Sequence, residues 1–92
     1  MNYRVVWRSR VMQRLGTLMF LALEMGRDPT PIQQAAEELD VRLAADPANE
    51  GESRDDNERV AIAHPLSVIY EVFEAERVVL IYSAVVYPRQ RA

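Results

Sequence analysis

The run VVLIYSAVVY, residues 78–87, limits the possible folds more than any other part of the chain. It is rich in β-branched and aromatic residues and far too short to span a bilayer as a helix, so it reads as a β-strand. Both of its faces are apolar, which predicts a strand lying centrally in a sheet and protected on both faces. Two strand-like segments directly precede it, Glu58–His64 and Leu66–Phe73, with turns at Pro65 and at Glu74–Glu76. With the last strand taken as Arg77–Tyr87, the three are consecutive and antiparallel.

The N-terminal half supplies what covers such a sheet. YRVVWR, residues 3–8, alternates Tyr3, Val5 and Trp7 with Arg4, Val6 and Arg8, and reads as a first strand. Ser9 is placed to cap a helix in which Val11, Met12, Leu15, Leu18, Met19 and Ala22 recur at spacings of three and four. Phe20 and Leu21 widen that apolar stripe, enough to pack on both a sheet and a second helix, and Gly26–Pro29 stops it. In TPIQ, Thr30 is expected as N-cap, Pro31 at the first helical position and Gln33 as the far side of a capping box. The second helix carries Ile32, Ala35, Ala36, Leu39 and Leu43 inward, turns Gln34, Glu37, Glu38 and Arg42 outward, and ends at Asp46–Pro47. Residues 48–57 are polar and read as an exposed loop. The order β-α-α-β-β-β predicts an α+β fold, a helical hairpin packed on one face of a mainly antiparallel four-stranded sheet. At 92 residues the chain has room for one core, so residues 1–92 are read as a single domain with the other sheet face open.

Charge and cysteine content narrow the function classes. Net charge is −3, which argues against nonspecific binding to nucleic acid. The distribution is uneven: Arg4, Arg8, Arg10 and Arg14 have no acid among them, while residues 46–58 are acidic apart from Arg54. All 11 basic residues are arginine, a composition suited to bidentate recognition of phosphate or carboxylate and equally explained by genomic base composition. There is no cysteine, which excludes disulfides and thiolate metal sites and favours a cytoplasmic location. The apolar run LGTLMFLALEM after four arginines superficially resembles a signal peptide, but it contains Glu24 and lacks a small-residue cleavage pattern. No metal-ligand cluster, phosphate loop or nucleophile–base pair is visible, and no cofactor is expected.

The element order, the starting strand YRVVW, the helical pair ending in DP, the ESR at residues 52–54 and the pattern of Tyr70, Glu71, Val72 and Glu74 together resemble the RelE/ParE superfamily of toxins from type II toxin–antitoxin (plasmid stabilisation) systems. The likeness covers nearly the whole chain. It implies growth inhibition held in check by a cognate antitoxin, with the open concave sheet face as the working surface. Ribosome-dependent members place basic residues and an acid–base group on that face and cleave messenger RNA, whereas gyrase-inhibiting members lack that set and act by binding. Attack of a ribose 2′-hydroxyl on phosphate needs a base, a leaving-group acid and positive charge on the phosphorane. Carried over onto this sequence, the endoribonuclease set falls on His64, Tyr87 and Arg89 as catalytic residues, with Arg54 and Arg59 contacting RNA or another target. The arginine common at the start of the next strand falls on Ser67.

That departure places the chain nearer the binding-type branch, with DNA gyrase or the ribosome and its message as targets; a divergent endoribonuclease and a non-toxic member retaining only partner binding are the alternatives. Each candidate also has a structural reading: His64 as a strand-end residue, Arg54 and Arg59 as counter-charges to the acidic loop, Tyr70 and Tyr82 as core, and Arg8, Arg10 and Arg14 as a solvated surface. Because the chain is acidic, the antitoxin is expected to bind by apolar contact with the first helix and the sheet edge, in a heterotetramer or beside a toxin homodimer.

Overall fold

The computed structural model describes residues 2–53 and 57–87. The elements run β1 (Arg4–Trp7), α1 (Ser9–Glu24), α2 (Thr30–Ala45), α3 (Pro47–Glu50), β2 (Glu52–Ser53), β3 (Glu58–Ala63), β4 (Leu66–Phe73) and β5 (Val78–Val86). The class is α+β as anticipated, but the sheet has five strands in the order β1-β5-β4-β3-β2 and is mixed. β1 pairs with β5 in parallel, and the other neighbours are antiparallel. The fifth strand is the two-residue β2, drawn from the segment read as loop; its Glu52 and Ser53 pair with Val60 and Arg59. β5 has strands on both sides, as its apolar run requires, but its second face is not covered by a helix: Val85 is exposed.

Helix ends show which local signals prevailed. α1 ends in a Schellman motif, with Gly26 at φ 73°, its N–H donating to the Leu23 carbonyl and the Arg27 N–H to the Ala22 carbonyl. Positive φ is nearly free for glycine, so Gly26 carries the stop. The caps differ from expectation. Arg8 precedes the first helical turn of α1, and Ser9 is already helical. Pro29 takes the cap position of α2, and the Thr30 N–H donates to Asp28 Oδ1 at 2.9 Å. The charge-favouring hydrogen bond from Thr30 holds the Asp28 carboxyl below its ordinary range. Gln33 reaches Glu37 instead of closing a capping box, because Thr30 is already the first helical residue and not the cap.

The core lies between the helices and one sheet face. Val11 and Leu15 of α1 and Ile32, Ala35, Leu39 and Leu43 of α2 meet alternate residues of β3, β4 and β5, including Ala61, Val68, Tyr70, Val79 and Ile81. Leu39, Leu43, Val68 and Ile81 are completely buried. α2 is anchored to β1 by Trp7, whose Nε1 donates to Asp40 Oδ1 at 2.9 Å, and by the Tyr3 N–H, which donates to the Ala44 carbonyl. Arg42, placed outward by its helical position, instead bridges three elements: it donates to Glu38, Glu50 and the Ile62 carbonyl. Glu50, then burial, then Glu38 act on this guanidinium, with the net effect that its pKa is raised.

Candidate functional site on the open sheet face

Strand alternation sends the remaining side chains away from the helices. The register aligns Val6 of β1, Leu80 of β5, Glu71 of β4 and Glu58 of β3 in one row across the open face. Two carboxylates, Glu58 and Glu71, therefore stand directly opposite each other on adjacent strands, a placement that costs stability relative to neutral pairs. Glu52, paired with Val60, adds a third carboxylate to the same half. The opposite margin is basic, with Arg4 on β1 and Arg8 just beyond it, both on the alternating positions of Val6. Between them lies an apolar floor containing Val60, Ile62, Ile69, Leu80 and Val85.

A bulge shapes the centre of this face. Ile69 pairs with Ser83 and Tyr70 with Ile81, so Tyr82 is an extra residue on β5 and leans out beside Glu71. Its hydroxyl donates to Glu71 Oε1. Desolvation first, then the hydrogen bond and charge of Glu71, with Glu58 adding, push the phenol up to about 12, while Arg8 acts in the opposite direction. The Tyr82 hydroxyl is thus held as a donor to the Glu71 carboxylate.

The predicted site residues separate into two groups. His64 is exposed in the β3–β4 turn, ahead of a cis bond to Pro65, and the exposed Tyr87 follows β5 with its N–H on the Pro65 carbonyl at 2.8 Å. These two are brought to the same end of the sheet. Arg59 lies toward the other end of β3, about 16 Å along the strand from His64 at 3.3 Å per residue. It points toward the helix side and donates to Ser53 Oγ and the Gly51 carbonyl; its buried Nε has no partner among the described residues. A hollow of about 230 Å³ opens beside it, bordered by Ser53, Asn57, Glu58 and Glu74. Arg54 and Arg89 lie outside the described residues. Ser67, where the resemblance leads one to look for an arginine, is buried in β4 between Ile62 and Val85.

Arg59 belongs to a structural cluster under the helices. The fully buried Tyr70 donates its hydroxyl to the Pro47 carbonyl at 2.7 Å, and burial raises its pKa while Arg59 opposes the rise. Gly51 passes so close that an added Cβ would sit 2.3 Å from the Val60 carbonyl oxygen and 2.8 Å from the Tyr70 hydroxyl. The acid–tyrosine row of Glu58, Glu71 and Tyr82 was not singled out as a site from sequence. The available signal was a glutamate interrupting the apolar strand LSVIYEVF, but the bulge that turns Tyr82 beside it depends on strand register.

No protein-family model and no curated protein matches the sequence. Solved structures do match. A chain of the RelBE2 toxin–antitoxin complex from Mycobacterium tuberculosis superimposes with a TM-score of 0.72 at 14% identity, over 94% of this chain and 99% of that one. A mutant of the Escherichia coli toxin RelE in its free state gives a TM-score of 0.63 at 14% identity, over 91% of this chain and 82% of that one. The chain shares its fold with the Escherichia coli toxin RelE and with a chain of the RelBE2 toxin–antitoxin complex.

Proposed function

We propose that this protein is the toxin-type component of a type II toxin–antitoxin pair, acting by binding a cellular target such as DNA gyrase and neutralised by a cognate antitoxin. The observation that carries the binding mode is the charge of the open face: Glu52, Glu58 and Glu71 occupy its β2–β3–β4 half, and among the described residues of those strands no arginine shares that face. Carboxylates repel the phosphates of a message and offer nothing positive to a pentacovalent phosphorane. The same surface suits a protein target that presents basic side chains or backbone N–H groups to Glu58 and Glu71. Controlled induction in bacteria lacking the antitoxin tests the toxin reading: growth arrest supports it, and normal growth with abundant soluble protein overturns it. Supercoiling inhibition without message cleavage is the result expected of the binding mode.

A second reading, a divergent ribosome-dependent endoribonuclease, is favoured by one observation, the meeting of His64 and Tyr87 at one end of the sheet. Message cleavage that is lost in His64→Ala and in Tyr87→Phe, with folding intact, establishes that reading in place of the first.

A further inference from the structure

The open sheet face is apolar at its centre and carries opposite charges on its two margins. Ile62 on β3, Phe73 on β4 and Val85 on β5 stand on it 53%, 37% and 41% exposed. Arg4 and Arg8 mark the β1 margin, whereas Glu52, Glu58 and Glu71 lie on β2, β3 and β4. Among the described residues both ion pairs belong to Arg42, so Arg4, Arg8, Glu52 and Glu58 are not neutralised there by one another. From β1 to β3 the two signs are three strand spacings apart, roughly 14 Å.

This separation selects the kind of partner. A nucleic acid brings its phosphates against the glutamates, and a uniformly basic segment long enough to cross the face meets Arg4 and Arg8, so each is repelled by part of the surface. A partner that suits both margins carries the same two signs in reverse order about an apolar centre. A second copy of this face is such a partner when it is turned about an axis lying in the interface parallel to the strands. That rotation exchanges the two margins, whereas a two-fold axis running across the strands lays arginine on arginine and glutamate on glutamate. Bare sheet faces also pack in this orientation, about 10 Å apart with their strands within roughly 30° of each other.

We infer that the open face is self-complementary: a second copy of this chain docks on it sheet to sheet, about a two-fold axis parallel to the strands between β4 and β5. β1 of one copy then lies over β3 of the other. Because Glu58 shares its row with Val6, it comes between Arg4 and Arg8 of the partner subunit. In the same way Phe73 lies over the partner subunit's Val78, and every contact occurs twice. An axis on β4 itself is excluded by charge, since it lays Glu71 on Glu71. The dimer covers the face proposed for the target, so self-association and target binding exclude each other, but the self-association does not rest on the toxin reading.

Sedimentation equilibrium of the full chain over a concentration series tests this, with circular dichroism to confirm that each variant folds. A reversible dimer is expected, weakening as salt is raised because its charge pairs lie at the rim. Glu58→Arg in one variant, and Arg4→Glu with Arg8→Glu in another, are each expected to weaken homodimerisation by at least about tenfold, since like charges then meet at both symmetry-related contacts. An equimolar mixture of the two variants is expected to regain dimerisation, because each contact of the mixed pair again joins opposite signs. A chain that stays monomeric to millimolar concentration overturns the inference, as does a dimer that neither variant weakens. A mixture no more associated than its components overturns the margin-to-margin arrangement. A monomeric chain whose binding to an antitoxin is lost in Glu58→Arg assigns the face to that partner instead.

Discussion

Beneath the helices, Tyr70 and Arg59 direct their polar atoms into the segment of residues 47–53, whereas on the other side of the same strands Glu58 and Glu71 face each other across β3 and β4. The first arrangement ties the Tyr70 hydroxyl and the two terminal nitrogens of Arg59 to one segment by close packing, down to a glycine whose Cβ would run into the Val60 carbonyl. The second does the reverse: it places like charges together where the fold gains nothing from them. Polar groups whose removal leaves the fold intact are the ones available for a partner, so the contrast separates structural residues from functional candidates on one sheet. It also reassigns Arg59, which its sequence context offers as a target contact, to a place where both terminal nitrogens of its guanidinium are already engaged by its own chain.

The contrast predicts a gradient of stability effects. Leu39→Ala, at a completely buried position of α2, is expected to lower stability by about 3 kcal/mol through lost transfer energy and the cavity left behind. Urea denaturation checks this, and a loss below about 1 kcal/mol would show that the helix layer is looser than its burial indicates. Gly51→Ala comes next, at about 2 kcal/mol, because the new methyl meets the Val60 carbonyl, which is backbone and cannot swing aside. Tyr70→Phe removes the donor to the Pro47 carbonyl and is expected to cost about 1–2 kcal/mol, leaving that acceptor buried. If Gly51→Ala were neutral, the α3–β2 segment would be free to move off β3 and the division between the two faces would fail.

Much of the covered half was legible in the sequence because its signals are local. The apolar spacing of Ile32, Ala35, Leu39 and Leu43, the helix stop at Gly26 and the strand run from Val78 each act within a few residues of where they are read. What escaped was long-range or competitive. Pro29 and not Thr30 takes the α2 cap position, with Asp28 accepting from the Thr30 N–H, an arrangement that only geometry selects. β2 is two residues long and exists because Gly51 and Arg59 hold it against β3, a pairing without periodicity of its own. The stripe of α1 divides into a buried and an exposed part, a distinction that Met12 and Phe20 cannot reveal by hydrophobicity alone. Of the candidate site, His64 and Tyr87 are expectations carried over from the family resemblance, whereas the Glu58–Glu71–Tyr82 row needs both the β3–β4 register and the β5 bulge.

Tyr82 offers a pH-dependent probe of the open face. A phenol held at about 12 instead of 10 binds its proton more tightly in the folded chain than in the unfolded one. Its contribution to stability is therefore complete below pH 10 and lost as pH rises toward 12. Because Tyr3 and Tyr70 are also raised, the measurement must be residue-specific: an NMR titration of the Tyr82 ring carbon, whose midpoint is expected to fall toward 10 in Glu71→Gln. A midpoint unmoved by that substitution would leave desolvation and Glu58 as the causes and remove Glu71 as the partner.

The smallest effect is expected from Glu58→Gln, and it sharpens the comparison most. Neutralising one of two opposed carboxylates relieves repulsion across the strands, so stability at neutral pH should stay the same or rise by up to about 0.5 kcal/mol, in contrast to the losses beneath the helices. Growth arrest on induction should nonetheless weaken if Glu58 meets the target, because the partner's basic group then faces an amide. A variant at least as stable as the parent but less toxic separates function from folding at a single residue. One that is destabilised would place Glu58 with Tyr70 and Arg59 among the groups that hold the sheet together.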